Sequence, residues 1–527
     1  MTDVLTGLMQ ESPLTYSRFV RRMEEITGSS TATGPDHNGN IESWTYRQVA
    51  EQIHRLGGLL RDLGIKPGDR VASLAFNTLD HLVLFLGVPS FGAVLQTVNP
   101  RFTLDQMIYV LQHGGAKVLF VQAHLLEVVR PILAHLPNVA HVVLTDARPG
   151  ETEYPRIRDA LSSADSLSLP ELDERQASGL CYTSGTTGMP KGVLYSHRST
   201  ILHAMSACMV DVMAVSQRET ILPIVPMYHA NAWGLPHAAA LVGADLVLPG
   251  RDLAGETVGR LMRSLGVTLT AGVPTVLTEL LSYADREPGA LATLRTAISG
   301  GSALQRPLVD GFSRHEVEVI QGWGMTETSP CVSMSRPPKD ADDPASYRLS
   351  AGRINPIVEA RIVDESGQVL PRDGVAVGEI QLQSPQAARS YFGDEAPDPD
   401  KFADGWLRTG DAASITPDGY VLLRDRLKDM IKSGGEWIPS AELEFLIADH
   451  PGVREVAVIA IPDEKWGERP GAVIALRDGV DRLNLDELRR FLEPKAPRWW
   501  LPDLLHIVEE LPKTSVGKLD KKALRSV

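Results

Sequence analysis

Cysteine is scarce in this chain of 527 residues, and the three that occur, Cys181, Cys208 and Cys331, lie far apart. An odd number of cysteines with no C-x-x-C spacing argues against a disulfide framework and against the common zinc sites. Isolated cysteines usually pack as small hydrophobic side chains, and their sparseness fits a reducing compartment.

Long apolar runs are also missing. No stretch approaches the ~18–20 apolar residues that a transmembrane helix needs. The first residues lack the basic and then apolar segments of a signal peptide, and the last residues differ from a peroxisomal Ser-Lys-Leu address. The sequence therefore predicts a cytoplasmic protein without an integral membrane segment.

Positive charge is in deficit, because Lys and Arg number 52 against 66 Asp and Glu, which gives a net charge of −14. An acidic protein is a poor candidate for electrostatic binding to nucleic acid. A polyanionic small ligand would have to meet a few locally placed Lys and Arg side chains. We therefore expect no nucleic-acid partner.

The length and the hydrophobic content of 43% allow a large core and more than one domain. Helical and strand-like segments alternate in the first half, which predicts layered α/β structure. One helix is predicted over 46–63, although the pair Gly57-Gly58 disfavours an unbroken helix. A compact α+β pattern follows Arg424-Asp425, with Ser440 predicted as the N-cap of a helix over 441–448.

The segment from 181 to 193, Cys-Tyr-Thr-Ser-Gly-Thr-Thr-Gly-Met-Pro-Lys-Gly-Val, places four hydroxyl residues, three glycines and a lysine between apolar runs. Small residues let backbone N–H groups cradle phosphate oxygens, and a lysine adds a point charge. The segment fails the P-loop pattern G-x-x-x-x-G-K-[ST] twice, because Pro190 and Gly192 stand where glycine and a hydroxyl residue belong. It predicts a phosphate-binding loop of another kind.

The pattern Y-T-S-G-T-T-G-x-P-K-G-V resembles the signature of the adenylate-forming superfamily, which contains acyl- and aryl-CoA ligases, peptide-synthetase adenylation domains and beetle luciferases. Further motifs of that superfamily follow in order: Ser-Gly-Gly-Ser at 299–302, Gly-Trp-Gly-Met-Thr-Glu at 322–327, Arg-Thr-Gly-Asp at 408–411 and Pro-Lys-Thr-Ser-Val-Gly-Lys at 512–518. The resemblance implies an ATP- and Mg²⁺-dependent enzyme that converts a carboxylic acid to acyl-AMP and then passes the acyl group to coenzyme A.

The resemblance also implies an α/β fold with a large, multi-subdomain N-terminal domain over 1–424 and a small mobile α+β domain over 425–527. Asp425 matches the hinge between them. Alternation of the small domain would supply different groups to the two half-reactions. A homodimer formed through the large domain is a further expectation of the same kind.

The site residues implied by the resemblance fall into four sets. The catalytic set is Lys518, Thr183, Lys191, Thr326, Glu327 and His229, with Glu327 holding Mg²⁺, a cation that prefers oxygen ligands. The nucleotide set is Ser184, Gly185, Thr186, Thr187, Gly188, Gly300, Gly301, Ser302, Gly322, Trp323, Gly324, Asp411 and Arg426. The coenzyme A set is Lys432, Ser433, Gly434 and Gly435. The acyl pocket is His229, Trp233, Val273, Gly301, Met325 and Cys331.

The stretch Pro-Met-Tyr-His-Ala-Asn-Ala-Trp-Gly-Leu-Pro at 226–236 resembles the branch with medium-chain fatty acid and 3-methylmercaptopropionate:CoA ligases. It predicts a short- to medium-chain acid, aryl- and thioether-substituted acids included. Three alternatives stay open: an enzyme that loads a carrier protein, a luciferase-like oxygenase, and a non-catalytic nucleotide or acyl-CoA sensor.

Overall fold

The computed structural model describes residues 7–150, 153–183, 189–434, 436–477, 479–480, 482–512, 519 and 521–524. The chain divides into two compact units. The first comprises 1–183, 192–334 and 385–393, and the second comprises 184–191, 335–384 and 394–527. The predicted hinge at Asp425 lies within the second unit, and the boundary at 424 stays a prediction.

The first unit contains two mostly parallel sheets. In strand order they read β14-β13-β12-β11-β9-β10-β1-β2 and β6-β5-β3-β4-β7-β8, with the strands β1 (Thr31–Pro35), β2 (Ile41–Thr45), β3 (Arg70–Leu74), β4 (Val94–Thr97), β5 (Ala116–Gln122), β6 (His141–Thr145), β7 (Ala177–Tyr182), β8 (Gly192–Ser196), β9 (Thr220–Pro223), β10 (Asp245–Val247), β11 (Leu269–Gly272), β12 (Thr296–Gly300), β13 (Glu318–Gly324) and β14 (Cys331–Met334).

The helices of the first unit pack on these sheets. They are α1 (Ser17–Glu25), α2 (Tyr46–Asp62), α3 (Leu79–Ser90), α4 (Leu104–Gly114), α5 (Leu126–Val129), α6 (Ile157–Ser163), α7 (His197–Ala207), α8 (Leu235–Val242), α9 (Gly255–Leu265), α10 (Pro274–Ala284) and α11 (Arg306–Ser313). Helix α3 is buried along its whole length. The expected layered α/β fold is confirmed.

Helix α2 runs unbroken through Gly57 and Gly58. A Cβ atom at Gly57 would lie 2.3 Å from the ring of Phe91, and one at Gly58 would lie 2.1 Å from the carbonyl oxygen of Asp165. The two glycines therefore permit close packing, and the gain in packing outweighs their low helix propensity of about 1 kcal/mol each.

Two of the predicted motifs lie at the carboxyl ends of parallel strands of the first unit. Strands β11, β12 and β13 are parallel neighbours, and Gly300 at the end of β12 is the partner of Gly322 in β13. Ligands of open parallel sheets bind beyond the carboxyl ends of the strands. This topology brings the 299–302 and 322–327 motifs, far apart in sequence, to one edge.

The second unit contains two further, largely antiparallel sheets. Their orders are β16-β17-β19-β20-β15, with β18 paired to β19, and β22-β21-β24-β23, with β25 paired to β24. The elements are α12 (Pro344–Leu349), β15 (Gly352–Ile354), β16 (Glu359–Val363), β17 (Gly378–Gln383), β18 (Phe402–Ala403), β19 (Trp406–Ile415), β20 (Tyr420–Arg426), β21 (Ile431–Ser433), β22 (Glu436–Ile438), α13 (Ser440–Ala448), β23 (Val453–Asp463), β24 (Gly467–Leu476), α14 (Leu485–Leu492), β25 (Leu504–Val508) and α15 (Lys521–Leu524).

The prediction that Ser440 caps its own helix is wrong. Ser440 is the first residue of α13, and Pro439 occupies the N-cap position without a side-chain hydrogen bond. The carboxylate of Asp425 caps the helix instead, because its Oδ2 accepts hydrogen bonds from the Ser440 hydroxyl at 2.5 Å and from the Ala441 N–H at 3.1 Å. A carboxylate beside the first turn also complements the helix dipole.

Within the described part of the chain, no helix is both long enough and apolar enough to cross a membrane. Of the three cysteines, all with free thiols, Cys181 and Cys331 are buried and Cys208 is partly buried. Burial raises the pKa of Cys181 to about 11 and that of Cys331 to about 12. Both buried thiols are therefore neutral at physiological pH, as expected of cysteines that serve packing.

Candidate active site

The predicted phosphate loop connects the antiparallel strands β7 and β8, in which Tyr182 pairs with Gly192. Thr183, next to the end of β7, is partly buried. Ser184, Gly185, Thr186, Thr187 and Gly188 lie outside the described residues, so their predicted contacts with ATP stay predictions. In a P-loop, a helix begins at the end of the loop. Here strand β8 follows instead, which explains why Pro190 and Gly192 stand where the P-loop pattern has a glycine and a hydroxyl residue.

Thr326 and Glu327 lie in a short turn, Thr326–Thr328, which begins two residues after the end of β13. The Glu327 carboxylate is only 5% exposed, and its Oε1 accepts a hydrogen bond from the Tyr391 hydroxyl at 2.6 Å. The Tyr195 hydroxyl donates to the carbonyl oxygen of Thr326 at 2.7 Å. Buried carboxylates are stable only when they are hydrogen-bonded or paired, so both tyrosines fix this turn.

The glycines at the ends of β12 and β13 are required by close backbone approaches. A Cβ atom at Gly324 would lie 1.7 Å from the carbonyl oxygen of Pro330, and one at Gly300 would lie 2.9 Å from the carbonyl oxygen of Gly322. Gly301 has a φ of +84°, a conformation that L side chains rarely adopt. At these three positions, the neighbouring backbone or the local backbone conformation therefore excludes residues larger than glycine.

Two further residues of the predicted nucleotide set, Ser302 and Trp323, lie on this edge as well, Ser302 exposed and Trp323 partly buried. The side chain of Gln321 orders the segment between them, because its Oε1 accepts from the Leu304 N–H at 2.7 Å. The predicted nucleotide residues therefore lie together on this edge, while Gln321, whose side chain orders the neighbouring segment, had no assigned role.

Trp233 belongs to a turn of unusual backbone geometry. Ala230, Asn231, Ala232 and Trp233 have φ values between 44° and 54°, and Gly234 follows at 74°. A left-handed conformation costs roughly 1–2 kcal/mol for each residue with a side chain. Strain of this kind persists only where the surroundings impose it, and it is found preferentially at functional sites.

The left-handed turn places the six-membered ring of Trp233 on Gly300. Its Cη2 atom would lie 2.9 Å from a Cβ atom built at Gly300. Of the other residues of the predicted acyl pocket, His229, Val273 and Met325 are partly buried and Cys331 is 5% exposed. The contact of Trp233 with Gly300 and the register of Gly300 on Gly322 join the acyl and nucleotide sets within the first unit.

Asp411 and Arg426, both predicted to contact the nucleotide, are partners in the second unit. They lie opposite each other on β19 and β20, and the Arg426 Nε atom is 2.8 Å from Asp411 Oδ1. Asp411 is 6% exposed, and its backbone N–H donates a further hydrogen bond to Thr409 Oγ1 at 3.0 Å. The guanidinium thus holds the carboxylate in one orientation.

Lys191 and the predicted coenzyme A residues also lie in the second unit. Lys191 is exposed, with its Nζ 3.4 Å from the Asp398 carboxylate. Lys432 is exposed, and its Nζ lies 4.9 Å from the ring centroid of the exposed Trp437. Ser433 is buried, and the Gly434 N–H donates to the Trp466 carbonyl at 2.8 Å. Gly435 and the predicted adenylation residue Lys518 lie outside the described residues.

Sequence reasoning missed Tyr391, Tyr195 and Gln321. Each acts through a hydrogen bond to a residue far away in the chain, such as the 64 positions between Tyr391 and Glu327. Tyr195 stands inside the first motif's strand β8, so its closeness to the loop was a usable signal. Nothing local distinguishes Tyr391 from an ordinary buried tyrosine.

The residues present fit ATP and Mg²⁺. The described residues contain no group of three or more His, Cys, Asp or Glu side chains that could hold a metal by themselves. Mg²⁺ in nucleotide enzymes is bound by one or two carboxylates together with substrate phosphates, and a single buried, oriented carboxylate such as Glu327 meets that need. Asp411, held by Arg426, has the acceptor chemistry that ribose hydroxyls require.

Comparison with known proteins identifies the family of the chain. The model of the AMP-binding enzyme family matches residues 27–392, and the model of the AMP-binding enzyme C-terminal domain matches residues 442–518. The chain is 42% identical to a long-chain-fatty-acid–CoA ligase of Thermus thermophilus over 99% of its length and 97% of that protein. It is 39% identical to a 3-methylmercaptopropionyl-CoA ligase of Ruegeria pomeroyi, over 99% of its length and 98% of that protein.

A medium-chain-fatty-acid–CoA ligase of Ectopseudomonas oleovorans is 38% identical, over 99% of this chain and 97% of that protein. Among solved structures, an anthranilate CoA ligase in complex with anthranoyl-AMP matches with a TM-score of 0.87 at 27% identity, over 98% of both chains. The chain therefore belongs to the AMP-binding enzyme family, as an AMP-forming carboxylic acid:CoA ligase that uses ATP, Mg²⁺ and coenzyme A.

Proposed function

We propose that this ligase activates short- to medium-chain carboxylic acids, aryl- and thioether-substituted acids included, and that Trp233 sets the upper limit of chain length. The observation that carries the proposal is the contact of the Trp233 ring with Gly300 at the carboxyl end of β12. A bulky ring at that point takes up space beside a strand end of the kind where ligands of open parallel sheets bind. The similarity to ligases named for medium-chain and 3-methylmercapto acids supports the same range, whereas the 42% identity to a long-chain-fatty-acid–CoA ligase favours longer acids, and the experiment below decides between them.

In the first half-reaction, the acid carboxylate attacks the α-phosphate of ATP, and pyrophosphate leaves. We assign Glu327 to the magnesium ion, Thr326 to the α-phosphate and Asp411 to the ribose. Thr183 and Lys191, with the glycine-rich segment between them, would neutralise the leaving pyrophosphate, and Lys518 would bridge the carboxylate and the α-phosphate where negative charge collects. Fixed donors stabilise such charge more than mobile ones do, which suits Thr326, because the Tyr195 hydroxyl holds the backbone carbonyl of that residue.

In the second half-reaction, the thiol of coenzyme A attacks the acyl-AMP and releases AMP. We assign Lys432, Ser433, Gly434 and Gly435 to the coenzyme, with rotation about Asp425 between the half-reactions. The exposed Trp437 beside Lys432 supports this assignment, because an exposed indole next to a cation can stack on an adenine ring while the lysine meets a phosphate.

His229, which directly precedes the left-handed turn, is placed in the proposal as the gate between the acyl-AMP and the thiol. Its location next to Ala230–Gly234 supports the role, because movement of that turn would move His229 and Trp233 together. The homodimer and the cytoplasmic location stay predictions. Light scattering of the purified protein and the distribution of a tagged chain in cells test them.

The experiment is a series of straight-chain, aryl and thioether acids, with kcat/KM for acyl-CoA formation measured for the native enzyme and for Trp233→Ala. Native activity should fall beyond medium chain length. The variant should gain on longer acids by about fourfold for each methylene it newly accommodates, since burial of a CH₂ contributes about 0.8 kcal/mol.

Trp44→Ala is the matched control, because Trp44 is a partly buried tryptophan of the first unit that contacts Arg158 and is not among the proposed pocket residues. It should leave the chain-length profile unchanged. A native profile that peaks at long-chain acids, or a Trp233→Ala profile that matches the native one, would refute the proposal.

A further inference from the structure

Residues 385–393 lie outside the recognised motifs and are hydrogen-bonded to the Thr326–Thr328 turn and the residues beside it. We name this segment the strap. Its Ala388 N–H donates to the Glu327 carbonyl oxygen at 2.7 Å. The Ser329 hydroxyl donates to the Gln386 carbonyl at 2.8 Å, and Gln386 Nε2 donates to the Cys331 carbonyl at 2.9 Å. With the Tyr391–Glu327 bond, four hydrogen bonds fix this turn and its flanks to the strap.

The far end of the strap contacts both strands that carry the predicted phosphate loop. The Phe392 N–H donates to the carbonyl oxygen of Gly192, the first residue of β8, at 2.8 Å. The Phe392 ring also packs edge-on against His113, whose Nδ1 is 2.8 Å from the hydroxyl of Tyr182, the last residue of β7. Residues 391 and 392 thus connect Glu327 to both ends of that hairpin.

The side-chain bond has a direct consequence for metal binding. Glu327 and Tyr391 are 5% and 7% exposed, so water cannot readily replace the tyrosine hydroxyl as a donor to the carboxylate. The bond occupies one lone pair of Glu327 Oε1 and fixes the plane of the carboxylate before any cation binds. Outer partners of this kind orient ligands of metals, and their loss typically weakens metal affinity or activity about 10–100-fold.

We propose that Tyr391 is a positioning residue for the Mg²⁺ of Mg–ATP, and that the strap sets the carboxylate of Glu327 and the ends of strands β7 and β8 in one fixed relation. This inference rests on the proposed role of Glu327 as the magnesium ligand. Tyr391 itself touches neither substrate nor metal in the proposal and acts only through Glu327.

The test is Tyr391→Phe, which removes one hydroxyl and keeps the ring. Binding of a non-hydrolysable ATP analogue is measured by calorimetry with Mg²⁺ and in EDTA, and ATP–pyrophosphate exchange is measured as Mg²⁺ is varied. The Mg²⁺ concentration for half-maximal exchange should rise about 10–100-fold, binding with Mg²⁺ should weaken, and binding in EDTA should stay the same. High Mg²⁺ should restore the exchange rate.

Tyr420→Phe is the matched control, because Tyr420 is an equally buried tyrosine, 3% exposed, whose hydroxyl donates to the Arg336 carbonyl at 2.6 Å in the second unit. It should leave the Mg²⁺ dependence unchanged. Equal shifts in both variants, or an unchanged Mg²⁺ dependence in Tyr391→Phe, would overturn the inference.

Glu327→Gln keeps an acceptor for Tyr391 and removes the charge. This variant separates the role of Glu327 as magnesium ligand from the positioning role of Tyr391, and it is the variant to use if Tyr391→Phe does not fold. It should abolish the Mg²⁺-dependent gain in analogue binding. If Glu327→Gln binds Mg–ATP as the native enzyme does, the role of Glu327 fails and the inference with it. If Glu327→Gln loses that gain but Tyr391→Phe does not, only the positioning role of Tyr391 is refuted.

Discussion

Acidification should unfold the first unit of this enzyme cooperatively, because four of its histidines are buried and neutral. Burial lowers the pKa of His81, His197 and His203 to about 4 and that of His237 to about 3. His237 is enclosed by aromatic rings, stacked on Phe85 at a centroid distance of 4.6 Å, and has no room for hydration of a charge.

The sign and the magnitude follow from proton linkage. A histidine in the unfolded chain has a pKa of about 6.5. Between pH 6.5 and about 4 the unfolded state therefore binds protons that the folded state does not bind. The contribution of these four histidines to the free energy of unfolding is fully present above pH 6.5 and is lost as the pH falls. At pH 5 each of the four sites costs about 2 kcal/mol, or about 8 kcal/mol together, which is comparable with the whole stability of a typical domain.

The assay is chemical denaturation at several pH values between 8 and 4.5, followed by circular dichroism. The free energy of unfolding should fall with a limiting slope of about 5 kcal/mol for each pH unit, which corresponds to an uptake of four protons. His237→Gln should lower that slope by about one proton, and the exposed His141→Gln should not change it. A slope below one proton in the native protein would refute the reasoning.

Three further predictions concern the chemistry. Lys518→Ala should lose ATP–pyrophosphate exchange by orders of magnitude yet still convert supplied acyl-AMP to acyl-CoA, whereas a sensor would keep its nucleotide response. Asp411→Asn should lower kcat/KM for ATP about 10–100-fold, since hydrogen bonds to a charged group contribute about 1.5–3 kcal/mol and the Arg426 pair is lost too; an unchanged value contradicts the ribose role. Trp437→Ala should raise KM for coenzyme A about 5–100-fold through lost stacking and leave exchange unchanged, and a rise in KM for ATP instead would contradict it.

Local patterns in the chain were sufficient for the elements and the family. The spacing of apolar residues predicted α2 almost to its ends, and the hydroxyl- and glycine-rich segment after β7 predicted a nucleotide site that the family match supports. Glu327, Asp411 and Trp323 were predicted as site residues because each stands inside a short, contiguous motif. Motifs of this kind can be recognised in a sequence because the backbone has to approach the ligand closely, and this approach requires glycines at fixed positions.

What the sequence by itself determined was the class of fold and the enzyme family, and it also predicted which residues approach the ligands, because these depend on periodicity and on contiguous motifs. What only the tertiary structure decided were the groups that act across long separations. Asp425 caps α13 in place of Ser440, Trp233 lies on Gly300 through a left-handed turn, and Tyr391 holds Glu327. Such contacts arise from strand order and packing, and no local pattern in the chain encodes which distant partner a buried polar group will meet.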